Sequence, residues 1–129
     1  METINMSFET LGLMPVILKN VHRAGYETPT PIQRSTIPLV MAGKDVLGCA
    51  QTGTGKTAAF ALPMIQQMAK KPLKPGAPRV IRQLILTPTR ELALQIYENF
   101  VIYGKNLPVT PCVIFGGVGQ QPQVDALHK

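Results

Sequence analysis

The eight residues from Ala50 to Thr57 constrain this chain more than any other feature of its sequence. They read Ala-Gln-Thr-Gly-Thr-Gly-Lys-Thr, with a short apolar run before them and a helical pattern after them. Glycines let a backbone turn tightly enough for successive N–H groups to point at phosphate oxygens, and a helix that follows presents its positive end to the same anion. The segment therefore predicts a phosphate-binding loop, or P-loop, between a strand and a helix.

The last two side chains of this loop have separate predicted roles. Lys56 would reach the β- and γ-phosphates of a nucleotide, and Thr57 would offer its hydroxyl to Mg²⁺. Both are therefore candidate catalytic residues, and Thr57 is the candidate metal ligand. The general pattern asks for glycine where this chain has Ala50. The alternative is a glycine-rich turn that only happens to precede Lys-Thr, and the strand–loop–helix context argues against it.

Apolar periodicity along the chain predicts an α/β fold. The expected helices cover residues 13–24, 31–41, 56–68 and 89–104, with another beginning near 121. The expected strands cover 45–50, which should be short and buried, 80–87 and 109–115. Such alternation implies a parallel sheet flanked by helices, which binds ligands beyond the carboxyl ends of its strands.

The charge balance gives a weak argument for a polyanionic partner. Thirteen Lys and Arg against seven Asp and Glu give a net charge of +6, which favours nucleic acid or nucleotide. Four of the basic residues fall in one Pro-rich stretch that is typical of a solvated loop: Lys70, Lys71, Lys74 and Arg79.

Cysteine and histidine usage indicates neither disulfides nor zinc. Cys49 and Cys112 stand alone in apolar runs, which predicts buried thiols in a reducing compartment. His22 and His128 lack neighbouring metal ligands and are predicted to lie on the surface. No basic segment followed by an apolar stretch opens the chain, and no apolar run approaches the roughly 20 residues of a membrane-spanning helix. We therefore expect a cytoplasmic protein without membrane contact.

Four motifs, in order, resemble those of the DEAD-box RNA helicases. The form Ala-x-x-Gly-x-Gly-Lys-Thr at 50–57 is that family's P-loop, and 25–33 is similar to its Q motif, with Phe8 lying 17 residues before it. Residues 88–92, Pro-Thr-Arg-Glu-Leu, resemble motif Ia, and 116–117 resemble the family's glycine pair. The resemblance implies an incomplete RecA-like P-loop NTPase fold. Residues 1–129 would form the N-terminal portion of the first RecA-like domain.

The resemblance also assigns the nucleotide site. A glutamine amide offers one donor and one acceptor, so Gln33 can pair with adenine and would select ATP over GTP. In the family an aromatic corresponding to Phe8 stacks on adenine, and the Tyr26–Thr28 backbone lines the pocket. Without the family, Phe8 and Tyr26 would be read as core aromatics and Gln33 as a solvated helix residue. The expected ligands of ATP and Mg²⁺ are Phe8, Tyr26, Thr28, Gln33, Gln51, Thr52, Gly53, Thr54, Gly55, Lys56 and Thr57.

Motif Ia and the glycine pair are the expected RNA site. Motif Ia follows a strand and opens a helix, which favours anion binding, and the resemblance implies contacts with the RNA backbone. The residues concerned are Pro88, Thr89, Arg90, Gly116 and Gly117. From the residues alone, Arg90 would instead pair with a carboxylate and Thr89 would only cap a helix.

The family's hydrolytic parts do not occur in this sequence. The Asp-Glu-Ala-Asp, Thr-Pro-Gly-Arg and Ser-Ala-Thr motifs and the C-terminal RecA-like domain, an expected partner, are missing from the 129 residues. Because phosphoryl transfer depends on positioning and charge neutralisation, we expect the chain alone to be inactive. The parent protein would unwind short RNA duplexes coupled to ATP hydrolysis. An unpaired sheet edge would also favour dimerisation.

Two other functions compete with this hypothesis. A DNA helicase or another P-loop ATPase is one, and the element from Phe8 to Gln33 argues against it. A non-catalytic module that binds adenine nucleotide or RNA is the other. The sequence separates this module from the helicase poorly, since both need the same P-loop.

Overall fold

The computed structural model describes residues 7–51, 53 and 55–128. A short 3₁₀ helix, Phe8–Leu11, precedes five α-helices, which are α1 Pro15–Arg23, α2 Pro31–Met41, α3 Lys56–Lys70, α4 Arg90–Tyr103 and α5 Gln120–His128. The predicted helices are confirmed, with ends that lie within two residues of those expected. In the described part of the chain, no helix has the length and apolar character to span a bilayer.

Local sequence explains where these helices begin and end. Pro15 and Pro31 stand at the first positions of α1 and α2, where a fixed φ suits the helix and no N–H is needed. Beyond the end of α1, Gly25 has a φ of +91°, the left-handed conformation that commonly follows a helix. At the start of α4, the Thr89 hydroxyl accepts a hydrogen bond from the Leu92 N–H at 3.2 Å.

One apolar core joins the 3₁₀ helix and α1 to α4. Its most deeply buried members include Phe8, Ile17, Ile37, Leu62 and Ile65, each with at most 1% of its surface exposed. The core therefore lies within the helical layer, on which the P-loop and the extended segments rest.

Two buried amides tie the helices together. Asn20 on α1 donates to the carbonyls of Tyr103 at 2.9 Å and Lys105 at 2.8 Å, at the end of α4. Gln66 on α3 accepts from the Met14 N–H at 2.7 Å and donates to the Gly12 carbonyl at 2.9 Å. Since unpaired buried polar groups are costly, these bonds fix how the helices are placed.

The three predicted strands do not pair. Within residues 7–51, 53 and 55–128 no strand is formed, so the expected parallel sheet is absent from segments 45–50, 80–87 and 109–115. A parallel strand is held by hydrogen bonds to neighbouring strands and by cover on both faces. These segments have helices on one side only, which is why they remain extended but unpaired.

Burial along residues 83–87 and 107–115 alternates as in a sheet, whereas residues 45–49 are all exposed. Ile85 and Val109 are half-buried and pack against the core, whereas Leu84 and Leu86 are 75% and 87% exposed. A period of two is the signature of a strand with one covered face. The predicted strand character is thus visible in the side chains, although the backbone ladder is missing.

The burial predicted for residues 45–50 and for both cysteines is wrong. Leu47 is 93% exposed, and Cys49 and Cys112 are also exposed. These side chains are exposed because one side of the extended segments is not covered by another layer and faces solvent. The surface position predicted for the histidines is confirmed: both are exposed, and His22 lies 2.9 Å from the Glu9 carboxylate.

Candidate functional site

The P-loop has a backbone that only glycine adopts readily. Gly53 and Gly55 have φ values of +84° and +82°, and Gly55 is the N-cap of α3. The first N–H groups of a helix have no partner within it, so those of α3 face the loop as donors for an anion. Thr52 and Thr54, two predicted ligands, lie outside the described residues. Gln51 is described and exposed.

Lys56 and Thr57 open α3 next to this backbone. Lys56 is exposed, and its side chain makes no ion pair or hydrogen bond with the described residues; Thr57 is half-buried. No group of three His, Cys, Asp or Glu side chains that could hold a metal occurs in the described ranges. Mg²⁺ commonly binds through few protein ligands together with substrate phosphates. The exposed Lys56 amine and the Thr57 hydroxyl, beside the free N–H groups of α3, have the chemistry to hold phosphates and Mg²⁺; that Thr57 binds the metal stays a prediction.

Gln33 joins the Q motif to the P-loop. It is only 1% exposed, its Oε1 accepts from the Thr30 N–H at 2.9 Å, and its Nε2 donates to the Gly55 carbonyl at 3.1 Å. A Cβ on Gly55 would collide with this amide, so the glycine also makes room for Gln33. The reading of Gln33 as a solvated residue is wrong. Both of its polar atoms have partners within the protein.

Thr30 is a residue of this site that the sequence reasoning missed. Its side chain faces the Gln33 backbone N–H in the capping box of α2, and its hydroxyl oxygen lies 3.3 Å from where a Cβ on Gly55 would stand. The available signal was the Thr-x-x-Gln spacing from Thr30 to Gln33, which is typical of a helix N-terminus.

The predicted adenine-contacting aromatics lie elsewhere. Phe8 is 1% exposed within the helical core, and Thr28 is exposed. Tyr26, 44% exposed, lines a separate cavity between the ends of α1 and α4 with Arg23 and Lys105. Contacts of Phe8, Tyr26 and Thr28 with a nucleotide stay predictions.

Motif Ia and the glycine pair meet at an open groove. The groove has a volume of about 360 Å³ and is lined by residues 87–90, Ala93 and residues 114–116. The Thr87 hydroxyl donates to the Thr89 carbonyl at 3.1 Å, and the first turn of α4 opens beside it. The structure thus brings together Pro88, Thr89, Arg90 and Gly116, four of the five predicted RNA contacts.

The Arg90 side chain extends from α4 to the loop that contains Gly117, the fifth predicted RNA contact. Its Nη2 donates to the Gly116 carbonyl at 2.6 Å, and its guanidinium carbon lies 4.8 Å from the centre of the Phe115 ring. Gly117, with a φ of +81°, lies against the same guanidinium. The alternative that Arg90 pairs with a carboxylate is wrong, since its partner is a carbonyl. Contact with RNA stays a prediction for all five residues.

Comparison with curated proteins finds helicases over nearly the whole chain. The chain is 44% identical over 128 residues to the ATP-dependent rRNA helicase rrp3 of Sclerotinia sclerotiorum, covering 99% of this chain and 25% of that protein. It is 47% identical over 124 residues to the ATP-dependent RNA helicase CshA of Limosilactobacillus reuteri, covering 96% and 24%. The chain therefore spans about a quarter of the length of these relatives.

Solved structures share the fold. A DEAD box protein from the hyperthermophile Methanococcus jannaschii superposes with a TM-score of 0.85 at 36% identity, covering 95% of this chain and 32% of that one. The RNA helicase Prp28 from Chaetomium thermophilum bound to ADP gives 0.80 at 40% identity, covering 94% and 29%. The arrangement of helices and extended segments is thus that of a RecA-like helicase domain, although the strands are unpaired here.

The family comparison agrees with the motifs. Residues 30–129 match the family model for the DEAD/DEAH box helicase. That range includes Gln33, the P-loop, motif Ia and the glycine pair. On this match, the chain belongs to the DEAD/DEAH box helicase family.

Proposed function

We propose that this chain binds ATP with Mg²⁺ and the RNA backbone as part of the first RecA-like domain of an ATP-dependent RNA helicase. The observation that supports the proposal best is the hydrogen bond from Gln33 Nε2 to the Gly55 carbonyl at 3.1 Å. This bond places the Gln33 amide, which can pair with adenine, next to the P-loop, whose N–H groups can bind phosphates.

Each part of the P-loop has a distinct task in this proposal. The N–H groups at the start of α3 and the exposed Lys56 amine hold the phosphates, and the Thr57 hydroxyl holds Mg²⁺. Bound ATP supplies the phosphoryl group whose transfer to water releases free energy. Gln33 turns its amide from Gly55 to the adenine edge, where the donor and acceptor pattern excludes guanine.

On the RNA side, the groove suits a sugar–phosphate backbone. The Thr89 hydroxyl and the first turn of α4 supply hydroxyl and N–H donors, and Gly116 places no side chain in the way. Contacts of this kind hold nucleic acid without reading its bases. We therefore expect binding that depends little on RNA sequence.

Hydrolysis and unwinding are proposed for a longer protein that contains this chain. Both relatives named above are described as ATP-dependent helicases, and each is about four times longer. The Asp-Glu-Ala-Asp motif is absent from this sequence, so the chain alone is proposed to bind without turnover and to need the second RecA-like domain as a partner. Cytoplasmic location and dimerisation through the unpaired edge stay predictions.

A fluorescence titration with labelled ADP and GDP tests the nucleotide half of the proposal. The chain should bind ADP more tightly than GDP. Lys56→Ala should weaken both by roughly tenfold to a hundredfold, since a charged hydrogen bond contributes about 1.5–3 kcal/mol. Gln33→Ala should weaken ADP binding more than GDP binding, because it removes the adenine contact as well as the bond to Gly55. Lys70→Ala, at the other end of α3, is the matched control.

Two results would contradict the proposal. One is equal affinity for ADP and GDP in a chain that thermal unfolding shows to be folded. The other is ATP turnover by the chain alone that rises with RNA and disappears in Lys56→Ala. Binding of ADP without turnover is the expected outcome.

A further inference from the structure

A basic loop joins the end of α3 to the extended segment that leads to motif Ia. The name covers residues 70–82, which include five of the thirteen Lys and Arg of the chain: Lys70, Lys71, Lys74, Arg79 and Arg82. No Asp or Glu occurs between residues 56 and 90. The loop therefore has a positive charge that no acidic residue of its own part of the sequence balances, and it lies outside both the P-loop and the groove.

Most of this charge faces solvent. Residues 70–81 are all exposed. Four of the five basic side chains make no hydrogen bond or ion pair with a described residue, whereas the Arg82 Nη1 donates to the Met68 carbonyl at 3.1 Å. Lys70, in the last turn of α3, also complements the negative end of that helix. Lys71, Lys74 and Arg79 have no such structural task, so their charges are available to a partner.

A tight turn shapes the tip of the basic loop. The Lys74 carbonyl accepts a hydrogen bond from the Ala77 N–H at 3.0 Å, and Pro75 and Gly76 lie between them. Gly76 has a φ of +79°. Proline followed by a left-handed glycine is typical of a type II turn. Two further prolines, one on each side of the turn, limit the conformations of the rest of the loop.

The base of the basic loop is tied back to α3. Beside the bond from Arg82 to Met68, the Gln83 Nε2 donates to the Met64 carbonyl at 3.0 Å. Both acceptors belong to the second half of α3, so the chain that leaves the helix returns to it. A loop that is held at its base and turned at its tip loses less conformational entropy on binding than a free basic tail does.

The chemistry of the basic loop suits phosphate groups and not bases. No Phe, Trp or Tyr occurs between Phe60 and Tyr97, so this region has no aromatic ring on which a base could stack. Exposed ammonium and guanidinium groups neutralise backbone phosphates without reading sequence. For a chain of the DEAD/DEAH box helicase family, the polyanion that fits this surface is RNA.

We infer that the basic loop is a second RNA-backbone site, which holds RNA outside the groove at motif Ia. From Arg82 at its base to Thr87 at the groove, extended chain covers up to about 17 Å. A strand of 20 nucleotides is several times longer, even when it is stacked at about 3.4 Å per nucleotide. One RNA can therefore reach both sites, and binding at one raises the effective concentration at the other. The choice of RNA as the partner rests on the proposed function.

The test is a titration of the chain with a labelled 20-nucleotide oligouridine across a series of salt concentrations. The loop variant combines Lys71→Gln, Lys74→Gln and Arg79→Gln. Each lost phosphate contact should lower the slope of log affinity against log salt by about 0.7, so the variant should lose about 2 in slope and bind roughly tenfold to a hundredfold more weakly near 0.1 M salt. Oligocytidine of the same length should show the same loss, because the bases are not read.

Two further variants separate the position of the charge from its amount. Lys71→Arg with Lys74→Arg keeps the charge and should keep the original affinity and slope. The matched control combines Lys19→Gln, Arg23→Gln and Lys105→Gln, which removes the same two lysines and one arginine from exposed positions outside the loop. The control should lose less than about 0.7 in slope. An equal loss in the control and the loop variant overturns the inference, and so does an unchanged slope in the loop variant.

Arg90→Gln, measured in the same titration, tests the groove independently. If the loop variant loses slope and Arg90→Gln binds as the original chain does, the inference stands and the groove of the proposed function fails. If only Arg90→Gln weakens binding, the groove stands and the inference is overturned. A chain that binds no oligouridine overturns both. Unchanged RNA binding by a loop variant that no longer binds phosphatidylserine vesicles would make the loop a membrane site and overturn the inference as well.

Discussion

The helical layer and the extended segments both carry large apolar side chains, but these are buried on the helices and often exposed on the extended segments. Ile17, Ile37 and Ile65 on the helices are fully buried, whereas Leu47 and Leu86 on the extended segments are 93% and 87% exposed. A helix satisfies its backbone polar groups internally and needs only one covered face. An extended segment needs neighbouring strands as well. The helical layer thus buries its own apolar side chains, while the extended segments leave many of theirs exposed.

The largest effect should come from shortening a side chain in the helical core. Ile65→Ala should lower the free energy of unfolding by about 2–5 kcal/mol, because it leaves a cavity among fully buried neighbours. Urea denaturation measures the change. Leu86→Ala is the matched change on the extended side and should stay within about 0.5 kcal/mol. A comparable loss in Leu86→Ala would mean that this side is covered in solution and would break the comparison.

A smaller effect is expected from one of the amides that fix the helices. Gln66→Leu leaves the Met14 N–H and the Gly12 carbonyl without their partner, and should cost about 1–3 kcal/mol by the same measurement. Its neighbour Gln67 is exposed, and among the described residues its side chain bonds the Val40 carbonyl alone, so Gln67→Leu should cost at most about 1 kcal/mol. Equal losses would show that burial is not what makes Gln66 important.

The smallest effect is a pH dependence that belongs to the helical layer alone. Burial raises the pKa of Tyr103 above its usual value, and the neighbouring Tyr26 adds to the shift. The folded chain therefore holds this proton more tightly than the unfolded chain does. Its contribution to stability is complete below the unfolded pKa of about 10 and is lost as the pH rises toward the folded pKa.

Unfolding at a series of alkaline pH values should reveal this contribution. Tyr103→Phe should lose stability less steeply than the original chain above about pH 10. Tyr97→Phe, on the same helix, is the control and should keep the original slope. An identical slope in Tyr103→Phe would show that this hydroxyl does not contribute.

The helices could be predicted from sequence because their determinants are local. Apolar spacing, Pro15 and Pro31 at first positions and Gly25 after α1 all act within a few residues of one another. The strand segments show the same kind of local signal in their alternation, but pairing depends on chain far away in sequence. For this reason the local pattern predicts a buried strand at residues 45–50, whereas residues 45–49 are exposed.

The candidate site shows the same contrast between features that are encoded locally and contacts between residues far apart in sequence. Glycine spacing located the P-loop, because the turn and the start of α3 are encoded within eight residues. The bond between Gln33 and Gly55 spans 22 residues, and that between Arg90 and Gly116 spans 26. No local sequence pattern specifies which backbone carbonyl accepts a hydrogen bond from a given amide or guanidinium side chain. The sequence therefore predicted the residues of the site better than their partners.

The bond between Gln33 and Gly55 has a consequence for selectivity under the proposed pairing with adenine. An adenine nucleotide that pairs with this amide binds only those molecules in which Gln33 is not bonded to Gly55. Its apparent Kd is therefore the intrinsic Kd divided by the fraction of such molecules. A guanine nucleotide makes no use of the amide and is unaffected. The preference for adenine over guanine nucleotides is thus reduced by the same factor as the adenine affinity. A partner that increases the fraction of molecules with an unbonded Gln33 would raise this preference without contacting the base.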